Sequence, residues 1–314
     1  MSAPVRIALV GAGAMGRRHA RALLAVDGAL LAVVVDPHTD RAERIAAEAG
    51  GRATTRIEDA LACDAAIVAT PADHHVGPAV AFLEAGRPVL VEKPLAEDLA
   101  GVWRIIETSE RCGVPVMCGF VERFNPVVTA TAALLSEPPL RMAALRHSPP
   151  VPRVRTGVVH DMLIHDIDLA IRFAGDAAVD RVDVVVGDDA PVGAPGDTAT
   201  CVLGFANGAT ASLSANRSSV DRQRVFVIDT PTGRFDLDLA RRALTRYDVP
   251  ARGGDAVGTV VETGRGRPGH RPVDEPLALQ LQHFLALVEG RGDAGYERRR
   301  LTGPHLVAAR ILSA

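Results

Sequence analysis

The sequence predicts an α/β fold in two parts, a doubly wound parallel sheet over residues 1–121 and an α+β domain with an antiparallel sheet over residues 122–314. Three observations predict it. Short apolar runs alternate with helical patterns in the first part, and a glycine-rich turn joins the first run to the first helix. In the second part, strand-like segments follow one another and are separated by turn residues.

The composition is that of a folded globular protein with an aliphatic core. Hydrophobic residues make up 47% of the 314 residues and charged residues 23%, whereas aromatic residues make up only 4%. The net charge of -3 gives no reason to expect binding to nucleic acid or to an anionic membrane. The four cysteines lack ligand-like spacing and no apolar stretch has the length of a membrane span, so reduced thiols and a cytoplasmic location are expected.

Apolar runs in the first part lack polar alternation, as expected of strands that are buried on both faces of a parallel sheet. These runs are residues 5–10, 30–35, 65–69, 88–91 and 114–117. Helical patterns lie between them over residues 17–26, 39–49, 76–85 and 99–111. Repetition of strand and helix implies right-handed crossovers, which place the carboxyl ends of all strands at one edge of the sheet.

The second part contains helical patterns followed mainly by strands. Helices are predicted over residues 125–135 and 160–173. Strands are predicted over residues 140–147, 179–187, 198–205, 210–216, 224–229 and 234–237, with Asn207-Gly208 as a hairpin signal. Residues 251–276 are crowded with Gly, Pro and Arg and are expected to form a mobile loop. Helices over residues 276–288 and 304–312 complete the chain.

A Gly-x-Gly-x-x-Gly motif follows the first strand and begins the first helix. Its glycines are Gly11, Gly13 and Gly16, with Ala14 and Met15 between the last two. In this context the first glycine allows the tight turn, the second leaves room for a pyrophosphate, and the third lets the helix pack on its strand. The helix N-terminus adds N–H donors and a favourable dipole for phosphate. These residues are therefore predicted to bind a dinucleotide.

The type of dinucleotide is predicted from Asp36, which lies 20 residues after Gly16 at the end of the second strand. A carboxylate at this place accepts hydrogen bonds from the ribose hydroxyls of NAD and repels the 2′-phosphate of NADP. The alternative is that Asp36 only caps the turn before Pro37. His38 and Arg41 are close enough in sequence to soften the preference, so NAD is the expected cofactor and NADP the less favoured one.

Two tripeptides end consecutive strands of the predicted parallel sheet. They are Ala69-Thr70-Pro71, with His74 and His75 just beyond it, and Glu92-Lys93-Pro94. Because ligands bind outside the carboxyl ends of parallel strands, these residues are expected to face the nicotinamide half of the cofactor. Taken alone, Lys93 is better explained as a surface lysine. The Lys93–Pro94 bond is a candidate for the cis form.

The predicted helix over residues 160–173 has a charged face and an apolar face. Helical spacing puts Asp161, His165, Asp168 and Arg172 on one side, and Leu163, Ile167, Ala170 and Ala174 on the opposite, core-facing side. Two interpretations remain open at this point: a functional acid–base cluster, or a solvated stripe with a helical Asp168–Arg172 pair. Nothing else in the chain suggests metal ligands, so no metal is expected.

These motifs, in this order, resemble those of the Gfo/Idh/MocA oxidoreductases. The resemblance spans nearly the whole chain and rests on the glycine motif, Ala69-Thr70-Pro71, Glu92-Lys93-Pro94 and Asp161-x-x-x-His165. The branch that contains UDP-N-acetylglucosamine 3-dehydrogenases is similar in three further segments: Glu122-Arg123-Phe124-Asn125-Pro126, Pro152-Arg153-Val154-Arg155, and Ile164-His165-Asp166-Ile167-Asp168. Ala72 and Thr156 depart from the residues common in the family and in this branch, an Asn and an acidic residue.

The resemblance implies a Rossmann domain that binds NAD and a substrate-binding domain with a large, open antiparallel sheet, which commonly forms the contact of a homodimer or homotetramer. It implies catalytic roles for Lys93, Asp161 and His165. It also implies cofactor contacts from His75 and from the two strand-end tripeptides. The substrate site is expected to include the three catalytic residues together with Arg123, Arg153 and Arg155. Guanidinium groups suit a substrate phosphate, although Arg153 and Arg155 are equally explained as surface residues.

The resulting hypothesis is the oxidation of a secondary alcohol, which needs a base and a hydride acceptor. His165 takes the hydroxyl proton, Lys93 hydrogen-bonds the same oxygen, Asp161 orients the imidazole, and hydride passes to the nicotinamide. The expected substrate is a sugar or nucleotide sugar, with C3 of a UDP-sugar as a candidate position. Four alternatives stay open: an inositol or polyol dehydrogenase, an NADPH-dependent ketosugar reductase, an NAD-assisted glycosidase, and a non-catalytic sensor.

Overall fold

In a computed structural model, the chain forms two compact units, Met1–Val121 with Arg271–Thr302 and Glu122–His270 with Gly303–Ala314. The structure describes residues 3–150, 156–186, 198–249, 258–261 and 275–314. Residues 271–302, which the sequence division assigns to the second domain, belong to the first unit.

The first unit contains a parallel sheet. Its strands are β1 Val5–Val10, β2 Ala29–Val35, β3 Arg52–Thr54, β4 Ala65–Val68, β5 Val89–Val91 and β6 Val116–Cys118. They lie in the order β3-β2-β1-β4-β5-β6, and every pairing is parallel. The prediction of a doubly wound parallel sheet is confirmed. The edge strand β3 escapes prediction because it is short and contains no large apolar side chain.

Helices connect these strands and cover the sheet. They are α1 Ala14–Leu23, α2 Thr39–Ala49, α3 Val76–Glu84 and α4 Leu99–Cys112. The side chain of Asp98 caps α4 by accepting a hydrogen bond from the Gly101 N–H at 2.7 Å, and the helix ends where Gly113 takes a φ of 67°. The strand order reverses between β1 and β4, so the loops after these two strands border a crevice at the carboxyl edge of the sheet.

The second unit contains a mixed sheet. Its strands are β7 Arg141–His147, β8 Val179–Val186, β9 Thr198–Phe205, β10 Thr210–Asn216, β11 Gln223–Asp229, β12 Gly233–Asp238, β13 Ala243–Asp248 and β14 Gly258–Val261. They lie in the order β14-β13-β12-β11-β7-β10-β9-β8. Neighbouring strands are antiparallel except β7 and β10, which are parallel. The expected antiparallel sheet is corrected at this pair, because a long excursion of the chain between β7 and β10 permits a parallel return.

Two local predictions in this sheet have different outcomes. Asn207-Gly208 forms the predicted hairpin between β9 and β10, with Gly208 at a φ of 85° and its N–H bonded to the Phe205 carbonyl oxygen at 2.9 Å. The predicted loop over residues 251–276 contains β14, which pairs with β13. Most of the remaining loop lies outside the described residues.

The helices of the second unit pack on one face of its sheet. α5 Pro126–Leu134 contacts β12 and β13, and α6 Ile164–Phe173 contacts β7 and β10. A wider, π-helical turn, Val159–Leu163, precedes α6. Along β7 the burial alternates: Met142 and Arg146 are buried, whereas Leu145 is 42% exposed. In the described strands, the second face of the sheet is therefore the more exposed one.

The C-terminal segment contributes to both units. α7 Pro276–Val288 contacts α1, and α8 Ala294–Arg299 contacts β6 and pairs with α4 through Arg298 and Glu110 at 3.2 Å. α9 Thr302–Leu312 ends the chain in the second unit. None of the helices in the described ranges is long and apolar enough to cross a membrane.

Candidate functional site

The glycine turn after β1 is closely packed at two glycines and open at the third. Gly11 has a φ of 101°, and a Cβ atom there would lie 2.6 Å from the backbone of Ala69. A Cβ atom on Gly16 would overlap the carbonyl oxygen of Gly11. Gly13 differs, because a Cβ atom there would meet no other atom within 4 Å. The turn therefore needs Gly11 and Gly16 for its own folding, whereas Gly13 borders a space with room for a pyrophosphate.

The N-terminus of α1 opens onto this space. Its N-cap is Gly13, which has no side chain to bond the first N–H groups, and the turn that begins with Ala14 and Met15 contains no acidic residue. A helix end of this kind attracts anions through its dipole and its N–H donors. The start of α1 therefore fits a phosphate group.

Asp36 connects the end of β2 to the glycine turn. The residue is 6% exposed, and its two carboxylate oxygens accept hydrogen bonds from Ala12 N–H at 2.7 Å and from His38 N–H at 2.9 Å. The bond from His38 caps the turn at Pro37, the role that the sequence offers as the alternative to ribose binding. The bond from Ala12 holds the same carboxylate beside the glycine turn, where the ribose of a dinucleotide lies in such folds.

A cleft of about 920 Å³ opens beside these residues, entirely within the first unit. Its walls come from the glycine turn, the end of β2, the segment after β3 and the loop after β4. Polar and charged residues in its lining include Asp36, His38, Arg41, Arg56, Glu58, Thr70 and His74. The volume of this cleft lies within the range that is typical of cofactor sites.

His75 lies behind this cleft and supports it. The residue is 1% exposed, with Nδ1 2.8 Å from the Pro94 carbonyl oxygen and Nε2 2.9 Å from the Thr70 carbonyl oxygen. Burial lowers the pKa of His75, against the raising effect of the two carbonyl contacts. In a neutral imidazole only one of the two nitrogens donates a hydrogen bond. His75 therefore lies between the loop after β4 and the loop after β5, and its contact with the cofactor stays a prediction.

Glu92 and Lys93 follow β5, and the Lys93–Pro94 peptide bond is cis. The Glu92 carboxylate is buried, with Oε1 2.6 Å from His19 Nε2 and Oε2 accepting a hydrogen bond from Lys93 N–H at 3.2 Å. A Cβ atom on Gly119 would lie 2.9 Å from Oε2, so the neighbouring backbone closes on the carboxylate. Burial acts to raise the pKa of Glu92, but the bond to His19 and the charge of Lys93 outweigh it and lower the pKa.

Asp161 and His165 lie on one continuous helical segment of the second unit. Asp161 belongs to the π-helical turn, where its N–H bonds to the Gly157 carbonyl oxygen at 3.0 Å, and His165 belongs to α6. The Asp161 side chain is 35% exposed, whereas His165 is 9% exposed. The segment thus carries a solvent-accessible acid one turn before a nearly buried imidazole, an arrangement suited to acid–base chemistry.

The rest of this segment is buried on several sides. Leu163, Ile167 and Ala170 are fully buried, as predicted for the core-facing side. A solvated stripe does not fit, because His165 and Asp168 are buried. The Asp168 carboxylate accepts hydrogen bonds from Arg123 Nη2 at 2.6 Å and from Arg123 Nε at 2.9 Å and 3.2 Å.

This pairing also bears on the predicted substrate contact of Arg123. The guanidinium is 5% exposed and forms a bidentate pair with the Asp168 carboxylate, which is itself 5% exposed. Such geometry satisfies both charges inside the protein. The structure therefore gives Arg123 a buried partner within the protein, and its contact with substrate stays a prediction.

A second buried ion cluster joins α6 to β7. Arg146 donates to the two carboxylate oxygens of Asp166 at 2.8 Å and 2.9 Å and to Glu122 at 3.0 Å. Burial raises the pKa of Asp166. In Glu122 the raising effect of burial is outweighed by Arg146, Asn125 and Arg224, so its pKa is lowered. The cluster and the Arg123–Asp168 pair hold α6 through Asp166 and Asp168, which follow His165 by one and three residues.

The sequence analysis does not predict His19 or Arg146, although each carries a signal in the sequence. His19 carries a signal in retrospect, because a polar side chain falls on the buried face of α1 together with Gly16, Ala20 and Leu23. Arg146 is a charged residue at an inward position of an alternating strand. Arg153 and Arg155 lie outside the described residues.

The first unit, with its glycine turn and Asp36, defines a dinucleotide-binding protein of the Rossmann class joined to a second, sheet-based unit. Residues 5–120 match the model described as an oxidoreductase family with an NAD-binding Rossmann fold, and residues 140–236 match the GFO/IDH/MocA C-terminal domain. The chain therefore belongs to the Gfo/Idh/MocA oxidoreductase family, as its motifs predict.

Named relatives and solved structures place the chain within this family. A UDP-N-acetylglucosamine 3-dehydrogenase of Acidithiobacillus ferrooxidans is 30% identical over 292 residues, 90% of this chain and 88% of the relative. An inositol 2-dehydrogenase of Corynebacterium glutamicum is 35% identical over 191 residues, so this chain spans 57% of its length. A solved structure of UDP-N-acetylglucosamine 3-dehydrogenase from A. ferrooxidans has a TM-score of 0.87 at 25% identity, with 99% of both chains covered. Levoglucosan dehydrogenase, in complex with NADH and levoglucosan, shares the fold with a TM-score of 0.84 at 20% identity, over 99% of this chain and 96% of that one.

Proposed function

We propose that this chain is an NAD-dependent dehydrogenase that oxidises a secondary hydroxyl of a nucleotide sugar, with C3 of a UDP-linked sugar as the expected position. The observation that carries the proposal is the 30% identity with UDP-N-acetylglucosamine 3-dehydrogenase over 90% of the chain. A match of that length includes both compact units, so it covers the cofactor-binding part and the substrate-binding part alike.

An inositol or another free polyol is the second candidate substrate. The inositol 2-dehydrogenase of C. glutamicum is 35% identical to this chain, a higher value than that of the nucleotide-sugar enzyme. That match covers only 57% of the chain. The longer match favours the nucleotide sugar, and the two substrates are separated by assay.

NAD is the proposed cofactor because of Asp36. Hydrogen bonds from Ala12 and His38 hold the carboxylate in place, so a 2′-phosphate beside it would meet a fixed negative charge. Arg41 and Arg56 line the same cleft and reduce this repulsion without removing it. A bound nicotinamide supplies the hydride acceptor for alcohol oxidation.

The proposed chemistry assigns one step to each of three side chains. His165 takes the proton of the substrate hydroxyl as general base. Asp161, one helical turn earlier, orients the imidazole and stabilises its protonated form. Lys93 donates a hydrogen bond to the hydroxyl oxygen and stabilises the negative charge that develops as the proton leaves. The proton thus goes to His165 and the hydride leaves the carbinol carbon.

The exposed face of the second sheet is the proposed contact with a second copy of the chain. Leu145 and Val202 are each 42% exposed on strands whose other face is buried. Exposed apolar patches on a sheet commonly mark an interface. Sedimentation velocity is expected to show a dimer or tetramer that Leu145→Glu dissociates and that Leu24→Glu, at a 64% exposed site of the first unit, leaves intact. A monomeric wild-type protein refutes this contact.

The function is tested by incubating the purified protein with NAD, and separately with NADP, against UDP- and dTDP-sugars, sugar phosphates, hexoses and inositols. Absorbance of the reduced nicotinamide is followed with a carbonyl trap present. An NAD-dependent signal with a nucleotide sugar supports the proposal, and a signal with free polyols alone favours the second candidate. Release of a sugar without net cofactor reduction identifies a glycosidase, and cofactor binding without turnover identifies a sensor. NADPH-dependent reduction of a ketosugar identifies a reductase.

The role of His165 is tested in the same assay. His165→Ala is expected to lower kcat by about 10²- to 10⁴-fold, the range for loss of a general base, while NAD binding is unchanged. Near-normal turnover of this variant contradicts the assignment.

A further inference from the structure

Arg217 lies directly after β10 and is used by none of the roles proposed above. It is 6% exposed. A guanidinium stays charged in proteins and, when buried, must be met by hydrogen-bond acceptors or by an opposite charge. The groups that meet it therefore indicate what its side chain organises.

The Arg217 guanidinium contacts two groups at the beginning of the segment that carries His165. Its Nη2 donates to the carbonyl oxygen of Thr156 and lies 3.6 Å from Asp161 Oδ2. Between these two residues, the Gly157 carbonyl oxygen accepts the Asp161 N–H at 3.0 Å. The Arg217 side chain, which follows β10, thus contacts the first turn of the helical segment at both Thr156 and Asp161.

The geometry of this first turn suggests that contacts from another element stabilise it. It is π-helical over Val159–Leu163, a wider turn than that of an α-helix and one that is frequent at functional sites. The Asp161 side chain is 35% exposed, so solvent competes for its carboxylate. A buried cation beside the carboxylate favours one side-chain rotamer over those that point into water.

We infer that Arg217 is a positioning residue that fixes Asp161 and the first helical turn, so that Asp161 in turn orients His165. The inference rests on the roles proposed for Asp161 and His165 and adds that Arg217 acts on turnover through Asp161. Because an arginine offers several donors in a fixed plane, a lysine here supplies the charge without the full set of bonds.

A double-mutant cycle tests this dependence. Arg217→Met, Asp161→Asn and the double variant are compared with wild type in the dehydrogenase assay. Arg217→Met is expected to lower kcat about tenfold or more, with NAD affinity unchanged, and to add no further loss in the Asp161→Asn background. Arg217→Lys is expected to retain more turnover than Arg217→Met. Arg111→Met is the control, because Arg111 pairs with Glu84 at the surface of the first unit and is 63% exposed.

Losses that multiply in the double variant overturn the inference, because they show that Arg217 acts independently of Asp161. Equal turnover of Arg217→Lys and Arg217→Met overturns it as well. If Arg217→Met does not fold, the cycle is run with Arg217→Lys.

Failure of the proposed function has a different signature, namely wild-type turnover in Asp161→Asn and His165→Ala or no turnover in any variant. In that case, amide hydrogen exchange of residues 156–163 is compared between Arg217→Met and Arg111→Met. Faster exchange in Arg217→Met supports the positioning of the first turn, and equal exchange overturns it.

Discussion

His19 and Glu92 connect two motifs that lie far apart in the sequence. Their side chains meet at 2.6 Å between His19 Nε2 and Glu92 Oε1, and His19 is fully buried. His19 follows the glycine motif on α1, and Glu92 immediately precedes Lys93. The contact therefore links the helix that begins at the proposed phosphate site to the backbone that carries the proposed catalytic lysine.

Replacing Glu92 by Gln is expected to destabilise the protein at neutral pH by about 1.5–3 kcal/mol, because a charge-assisted buried hydrogen bond is lost. The folded-state pKa of Glu92 lies below its ordinary value of 4.5, so the ionised carboxylate contributes stability above that pH. This contribution disappears as the pH falls through the lower folded-state value. The difference in free energy of unfolding between wild type and Glu92→Gln should therefore shrink in acid.

Urea unfolding over a series of pH values measures this difference. Glu43→Gln, which changes an exposed glutamate on α2, is the matched control and should show little difference at any pH. A difference for Glu92→Gln that stays constant from neutral pH down to acid contradicts the assigned ionisation.

Asp36 is predicted to set the preference between NAD and NADP. Asp36→Ser is expected to weaken NAD binding by about 10- to 100-fold, the equivalent of one hydrogen bond to a charged group, and to improve NADP binding because the negative charge is gone. Calorimetric titration with both dinucleotides measures the change. Glu58→Gln is the control, because Glu58 also carries a carboxylate in the cleft. Equal effects of the two substitutions on NADP binding would show that only the total charge of the cleft matters.

The glycine turn offers a prediction that separates folding from ligand binding. Gly16→Ala should lower the thermal unfolding midpoint, because its Cβ atom overlaps the backbone of Gly11. Gly13→Ala should leave the midpoint unchanged and weaken NAD binding, because its Cβ atom enters the open space beside α1. Thermal unfolding and dinucleotide titration of both variants are the measurements. Unaltered NAD affinity in folded Gly13→Ala would place the pyrophosphate elsewhere.

The parts of the fold that sequence predicts best are those whose pattern is local. β4 is buried on both faces and is a continuous apolar run, and β1, which is buried from Ile7 to Val10, coincides with its predicted range of residues 5–10. β3 and β13 lie toward sheet edges or carry charged side chains, so their patterns resemble loops. The parallel pairing of β7 with β10 depends on the path of the intervening chain, which no local pattern records.

In the candidate site, too, the residues of a short local motif are predicted, whereas partners from distant elements are not. The glycines and Asp36 belong to a short motif whose spacing has a physical cause, and it predicts their places. Asp168 shows the limit, because helical spacing pairs it with Arg172 whereas the structure pairs it with Arg123, 45 residues earlier. Spacing rules describe neighbours on one helix, and on a buried face a side chain from another element also reaches the carboxylate.

The Arg123–Asp168 pair gives the last prediction, which distinguishes a structural arginine from one that binds substrate. Asp168→Asn should lower the free energy of unfolding by about 3–5 kcal/mol, because it removes the negative charge of the bidentate pair while the Arg123 charge stays buried. The apolar double variant Arg123→Met/Asp168→Leu should recover most of that loss, since both buried charges are removed together. Urea unfolding measures both effects.

In the dehydrogenase assay, the folded double variant should keep a KM for the sugar substrate close to that of wild type, because the Arg123 guanidinium is 5% exposed and bound to Asp168. A stable double variant whose KM rises tenfold would return Arg123 to the substrate site, where the sequence first placed it.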